Sequence, residues 1–133
     1  VIIYTTEAGN LAVCYPTGEL SIEETLAKDC PQGALIVDQD ILPNEHGHFF
    51  DAWELVDGNV LVNINKAKEI TKTRLRAERD PLLQAQDVAF QRALETGADT
   101  SAIVAEKQRL RDITKLADSA TTLEELRTIK VGA

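Results

Sequence analysis

The chain of 133 residues has no methionine, a single tryptophan and 5% aromatic residues, so its core must be built mainly from aliphatic side chains. Cysteine is scarce as well, with only Cys14 and Cys30. A disulfide would need their Cα atoms within about 7 Å, which spacing along a chain does not establish, so two buried free thiols are expected. No apolar run approaches the ~20 residues that span a bilayer, and no membrane partner is expected. The opening Val1-Ile2-Ile3-Tyr4-Thr5-Thr6 lacks a basic region and a small-residue cleavage site, so it reads as a strand and not as a signal peptide. Basic residues are nearly missing from the first half. Residues 1–65 carry Lys28 alone against eleven acids, a net of −10 within a total of −8, which leaves +2 for residues 66–133. Halves of opposite sign can attract each other within one molecule or between neighbours, and a merely uneven solubilising surface would look the same.

Recognisable chemistry is also lacking. The chain has no Gly-x-Ser-x-Gly, no phosphate loop and no dinucleotide fingerprint, and neither cysteine has a histidine beside it in sequence. The acids are scattered singly, so no pair is set up for general acid and base work. Glu45-His46-Gly47-His48, followed by Asp51, contains good metal ligands, but two histidines one residue apart beside Pro43, Asn44 and Gly47 match a polar turn better than an established zinc pattern. No catalytic, metal or cofactor site is therefore expected, and an enzyme is the third of three readings.

What is present divides the chain in two. Val1–Thr6 and Leu11–Tyr15 are strand-like runs around the turn Glu7-Ala8-Gly9-Asn10. Asp57-Gly58 between Phe50–Val56 and Asn59–Ile64 is a stronger hairpin signal, and it places Val56 opposite Asn59, Leu55 opposite Val60 and Trp53 opposite Val62. Trp53 is thereby assigned to the core, although a tryptophan also suits an interface. Ser21 and Glu24 form a capping box for a short helix that turns Ile22 and Leu26 inward and stops at Pro31-Gln32-Gly33. Ala34–Val37 reads as a strand and Asp38–Phe49 as a loop.

From about Asn65 helix formers dominate. Helices are expected at about 65–79, 81–96, 101–117 and 122–130. They are separated by a break or kink at Asp80-Pro81, by Gly97 as a left-handed cap with Asp99 or Thr100 starting the next helix, and by a capping box at Thr121 and Glu124. Val88, Phe90 and Leu94 should lie near one another, Ile103, Leu110, Ile113 and Leu116 should line the third helix, and Leu123, Leu126 and Ile129 the last. The fold class is thus α+β: a β-rich acidic domain over 1–64 with antiparallel hairpins and one short helix, then a helical hairpin and a short last helix over 65–133.

The most uneven local feature is basic. Lys66, Lys68, Lys72, Arg74, Arg76 and Arg79 stand against Glu69 and Glu78, a local net of +4, and Lys68, Lys72, Arg76 and Arg79 recur at helical spacing. Those four are the candidate partner-binding residues, suited to an acidic protein surface; an ordinary solvated helix face is the plainer reading. Nucleic acid is not the expected partner, because interleaved aromatics are missing and the net charge has the wrong sign.

Three stretches carry a resemblance: Leu20-Ser21-Ile22-Glu23-Glu24 through Ala27-Lys28-Asp29 to Pro31 and Gly33; Phe50-Asp51-Ala52-Trp53-Glu54; and Lys66-Ala67-Lys68-Glu69-Ile70 through Arg74-Leu75-Arg76, Arg79 and Pro81-Leu82-Leu83 to Asp87 and Phe90. In these the chain resembles small proteins encoded among the tail genes of tailed bacteriophages and prophages. The resemblance implies a non-enzymatic tail or tail-fibre protein, either a structural or adaptor component of the virion or an assembly chaperone acting in the host cytoplasm. Its implied partners are other tail proteins or copies of itself. A fibre shaft would show repeats, and there are none. Lys107 interrupts an otherwise apolar stripe, so the helical hairpin looks incomplete alone and a homo-oligomer or larger assembly is expected.

Overall fold

The computed structural model describes residues 1–132, which form an α+β protein whose strands precede its four C-terminal helices. The chain divides into two compact units, Val1–Ala67 and Lys68–Ala133.

In the first unit β1 (Ile2–Thr5) lies between β2 (Leu11–Cys14) and β3 (Leu35–Ile36), antiparallel to both. The central position explains why Ile2 and Ile3, which point to opposite faces of β1, are both fully buried. The turn between β1 and β2 closes through Thr6 N–H donating to the Asn10 carbonyl at 2.8 Å, with Gly9 at φ +86°. The expected third strand shrinks to two ladder residues, Leu35 and Ile36, both exposed, after which Val37 N–H donates to the Val1 carbonyl at 2.9 Å.

The second hairpin has the expected register. β4 (Trp53–Val56) and β5 (Asn59–Val62) pair Trp53 with Val62, Leu55 with Val60 and Val56 with Asn59. Asp57 and Gly58 both take positive φ, +52° and +80°, the conformation that matches a two-residue turn to strand twist. Phe50–Ala52, expected to begin this strand, belongs instead to a stretch of 3-10 turns over Asn44–Ala52, and Gln39–Ile41 forms another. Asp38 seeds the Gln39–Ile41 turn by accepting from Asp40 N–H at 2.9 Å, so the expected loop is a run of short hydrogen-bonded turns. These turns seat Leu42 in the core with Ile3, Leu11, Trp53 and Val60.

Helix α1 (Ile22–Asp29) starts at the capping box, with Glu24 N–H donating to Ser21 Oγ and Ser21 N–H to Glu24 Oε2. Its buried residue is Thr25, while Ile22 and Leu26 are only half-buried, a correction to the expected inward pair. Thr25 tolerates burial because its hydroxyl donates to the Ser21 carbonyl at 3.0 Å.

Helix α2 runs unbroken from Ile64 to Thr96 with Pro81 inside it, so the expected separate helices 65–79 and 81–96 are one. Asn63 starts it by accepting from Asn65 N–H and Lys66 N–H. Pro81 removes one donor, to the Ala77 carbonyl, and both residues are exposed, so that carbonyl stays open to solvent. Asp80 is not a cap here; it accepts from Arg79 Nε at 3.4 Å. The other end is as expected. Gly97 sits at φ +70°, with Ala98 N–H donating to the Ala93 carbonyl and Gly97 N–H to the Leu94 carbonyl, the paired bonds of a Schellman cap.

The expected third helix is two, α3 (Ser101–Asp112) and α4 (Lys115–Ser119). Between them the chain tightens into three-residue turns, Ile113 N–H to the Leu110 carbonyl and Ala117 N–H to that of Thr114. The tightening rotates the next residues, so Ala117 enters the core and Leu116 stays half-exposed at 51%. Helix α5 (Leu123–Thr128) begins one residue later than expected: Thr122 Oγ1 accepts from Glu125 N–H, and Glu125 reaches back to Thr121 N–H. The core of this unit is Leu75, Leu110, Ile113 and Val131, flanked by Leu83 and Ile129.

Candidate interaction surface

The basic side chains of α2 have a use that their spacing does not reveal. Of the helices in the second unit only α2 is followed by glycine, so the last carbonyls of α3, α4 and α5 need donors from elsewhere. Lys68 Nζ donates to the Asp118 carbonyl at the end of α4, 3.1 Å away. Arg79 Nη1 donates to the Arg111 carbonyl at the end of α3, 3.2 Å away. Arg74 Nη2 donates to the Leu126 and Ile129 carbonyls at the end of α5, at 3.3 and 2.8 Å. A cation at a helix C-terminus also opposes the negative end of the helix dipole, so each contact is favourable twice over.

Lys72 pairs with the Asp118 carboxylate and, at 3.3 Å, with Glu69. The Asp118 hydrogen bond holds its ammonium above the ordinary value. Of the four candidate residues, Lys68, Lys72 and Arg79 are therefore engaged within the unit. Arg76 is exposed and makes no hydrogen bond or ion pair among the described residues, so it alone projects wholly outward. Arg74 belongs to the basic run but not to the four candidates, and Arg109, outside that run, holds the segment after α5: its Nη1 reaches the Val131 carbonyl at 3.0 Å while Glu106 grips its other two nitrogens. The absence of glycine after three of the helices is the one sequence signal that points to Arg74.

Lys107 is also answered. Its Nζ lies 2.7 Å from Asp87 Oδ1 and 4.9 Å from the centre of the Phe90 ring, which joins α3 to α2 side by side. Apolar packing in this distal hairpin is thin. From Pro81 to Lys107 the only buried residue is Ala93, whereas Leu82, Val88, Leu94 and Val104 are exposed. Of Val88, Phe90 and Leu94, expected to lie near one another, only Phe90 is half-buried, while Val88 and Leu94 are exposed.

In the first unit Trp53 is 4% exposed, donates from Nε1 to the His46 carbonyl at 3.2 Å and meets the Phe50 ring at 5.0 Å. The turn carrying the two histidines thus anchors the core tryptophan through its backbone. No group of three or more His, Cys, Asp or Glu side chains arranged to hold a metal occurs among the described residues. Among them, too, no helix is long and apolar enough to cross a membrane.

The carboxylates held below their ordinary range each have a local structural cause: Lys66 and then Asn63 for Glu54, Ser101 for Asp99, Arg109 for Glu106, Gln108 and then Lys115 for Asp112. None of these four lines either of two surface cavities, one of about 520 Å³ beside Glu124, Arg127, Thr128 and Lys130, the other of about 220 Å³ beside Cys14 and Lys28. Comparisons with family models, curated proteins and solved structures found no match.

Proposed function

We propose that the protein is a non-enzymatic bacteriophage tail or tail-fibre component that acts by protein–protein binding, as a structural or adaptor protein. The distal hairpin carries this reading. Residues 81–107 form two helices side by side with Ala93 as their one buried residue and Leu82, Val88, Leu94 and Val104 in solvent, so the hairpin has apolar surface left to bury against another protein. The partner is another tail protein or a second copy of this chain, with Arg76 the available cation of the basic stripe. The segments behind the phage-tail resemblance support the same reading, since the capping box, the tryptophan hairpin and the basic helix are each engaged in holding structure. The perturbed carboxylates, explained by caps and ion pairs, favour binding over catalysis.

Quantitative mass spectrometry of purified particles separates the variants of this reading. A fixed number of copies per particle is the expected result for a structural or adaptor protein. Absence from mature particles, with infectivity lost on deletion, would identify an assembly chaperone instead. A protein both absent from particles and dispensable for infectivity is not a tail protein.

A further inference from the structure

β2 ends the three-stranded sheet of the first unit, with β1 on one side and no strand on the other. The hydrogen bonds around it fix which of its groups face outward. Thr6 N–H donates to the Asn10 carbonyl, so these two residues are a bonded pair, and in an antiparallel ladder bonded pairs recur at every second residue. Ala12 and Cys14, opposite Tyr4 and Ile2, therefore bond to β1, whereas the N–H and C=O of Leu11 and Val13 point away from it. The other side of β1 gives the same alternation: Val1 exchanges bonds with Val37, so Ile3 and not Ile2 bonds to β3. The outward groups of Leu11 and Val13 have no partner among the described residues. An edge strand is ordinarily guarded by a charge, a proline, a bulge or short length. β3, at the opposite edge, has only two ladder residues, but β2 has none of these guards: Leu11-Ala12-Val13-Cys14 is uncharged and pairs with β1 over four consecutive residues. Leu11 and Val13 turn their side chains to the core. Cys14, on the other face, is a free thiol, half-buried like Cys30 and not buried as expected from sequence, and beside it opens the cavity of about 220 Å³ walled by Tyr15, Glu19, Lys28 and Asp29.

We propose that the outer edge of β2 takes up, as a fourth strand, an extended segment of another protein in which aliphatic and basic residues alternate. The main chain of that segment bonds the outward groups of Leu11 and Val13. Strand alternation then turns its aliphatic side chains to the face of Leu11 and Val13 and its basic ones to the face of Ala12 and Cys14, where Glu19 and Asp29 receive an ammonium or guanidinium group. Lys28 is the one cation at that cavity, and the two carboxylates outweigh it. Charge selects this occupant over a second copy, since residues 1–65 carry a net −10 and would repel the same surface of another molecule. The edge belongs to the first unit and the exposed hairpin 81–107 to the second, so the inference stands whether or not the protein is a phage tail component.

The test uses the full chain and a short blocked peptide of alternating lysine and valine, followed by fluorescence anisotropy and by amide hydrogen exchange. On adding the peptide, exchange at the Leu11 and Val13 amides should slow by about tenfold or more. The same peptide methylated at its backbone nitrogens cannot complete the ladder and should bind at least about tenfold more weakly. A counterpart with glutamate in place of lysine should lose about as much, because its charge is of the wrong sign. Glu19→Gln combined with Asp29→Asn, both at exposed positions, should weaken the lysine peptide about threefold or more. Absence of binding, binding that leaves the Leu11 and Val13 amides unchanged, or equal binding of the methylated peptide would overturn the proposal, and full affinity in the double variant would overturn the placing of the basic side chains. Slow exchange of the two amides in the protein alone, together with a dimeric mass, would show that a second copy holds the edge and would overturn the proposal as well.

Discussion

Trp53 shows how a single side chain can belong to several levels of structure at once. Its register opposite Val62 puts it in the core, its Nε1 satisfies the His46 carbonyl, and its ring meets Phe50. Trp53→Ala would remove the largest side chain of the first core and free a carbonyl acceptor, at a cost of about 3–5 kcal/mol. Chemical denaturation of the variant measures this, and an unchanged midpoint would move Trp53 out of the core. Glu54, the next residue, points the other way and accepts from Lys66 at 2.6 Å and from Asn63 at 3.1 Å. Both partners stand at the start of α2, so this carboxylate ties the hairpin to the helix entry. Its pKa in the folded protein lies below the ordinary 4.5, hence the stability it contributes is fully present above that value and is lost as pH falls through the folded pKa. Melting temperatures of wild type and Glu54→Gln should therefore differ near neutral pH and converge in acid. A gap that stays constant on acidification would show that the charge is not what stabilises.

At the scale of elements, the signals legible in the sequence are those whose physics is local. The Asp57-Gly58 turn, the Ser21 and Glu24 box and the Gly97 cap each act over four or five residues, and each is found where the sequence placed it. Elsewhere a wider context outweighs a local preference. Pro81 opposes helix, but the long helix on either side needs only one hydrogen bond to be given up, at an exposed carbonyl. Pro81→Ala restores that donor and should raise stability by about 1–3 kcal/mol. Thermal unfolding followed by helical circular dichroism reads this directly, and a loss of stability would mean that the proline fits a bend that alanine does not hold. The turn at Ile113 and Thr114 is a second case: nothing in the apolar period distinguishes Leu116 from Ala117, and a tightened turn in the chain exchanges their roles.

On the scale of the whole molecule, the charge asymmetry and the thinly packed hairpin bear on assembly. Residues 1–65 are strongly acidic, while much of the basic stripe of α2 is spent on the C-termini of α3, α4 and α5. Little positive charge is therefore left outward to hold an acidic surface, and any self-association should depend mainly on the exposed aliphatic side chains of the hairpin. Solution mass measured from low to high salt tests this. An assembly held by apolar burial should persist or strengthen as salt rises, whereas one held by acidic and basic halves should dissociate as screening sets in. Val88→Asp should weaken the first kind, because it replaces one of the exposed aliphatic side chains of the hairpin with a charge.

The sequence by itself determined the α+β order of elements, the hairpin register, the core role of Trp53 and the changeover to helix near residue 64, since turns, caps and periodicity act between near neighbours. Only the tertiary structure decided that α2 runs through Pro81 and that Lys68, Arg74 and Arg79 cap other helices. The caps depend on groups brought together from positions remote in the chain, where free energy is set by what packs against a residue and not by what precedes it.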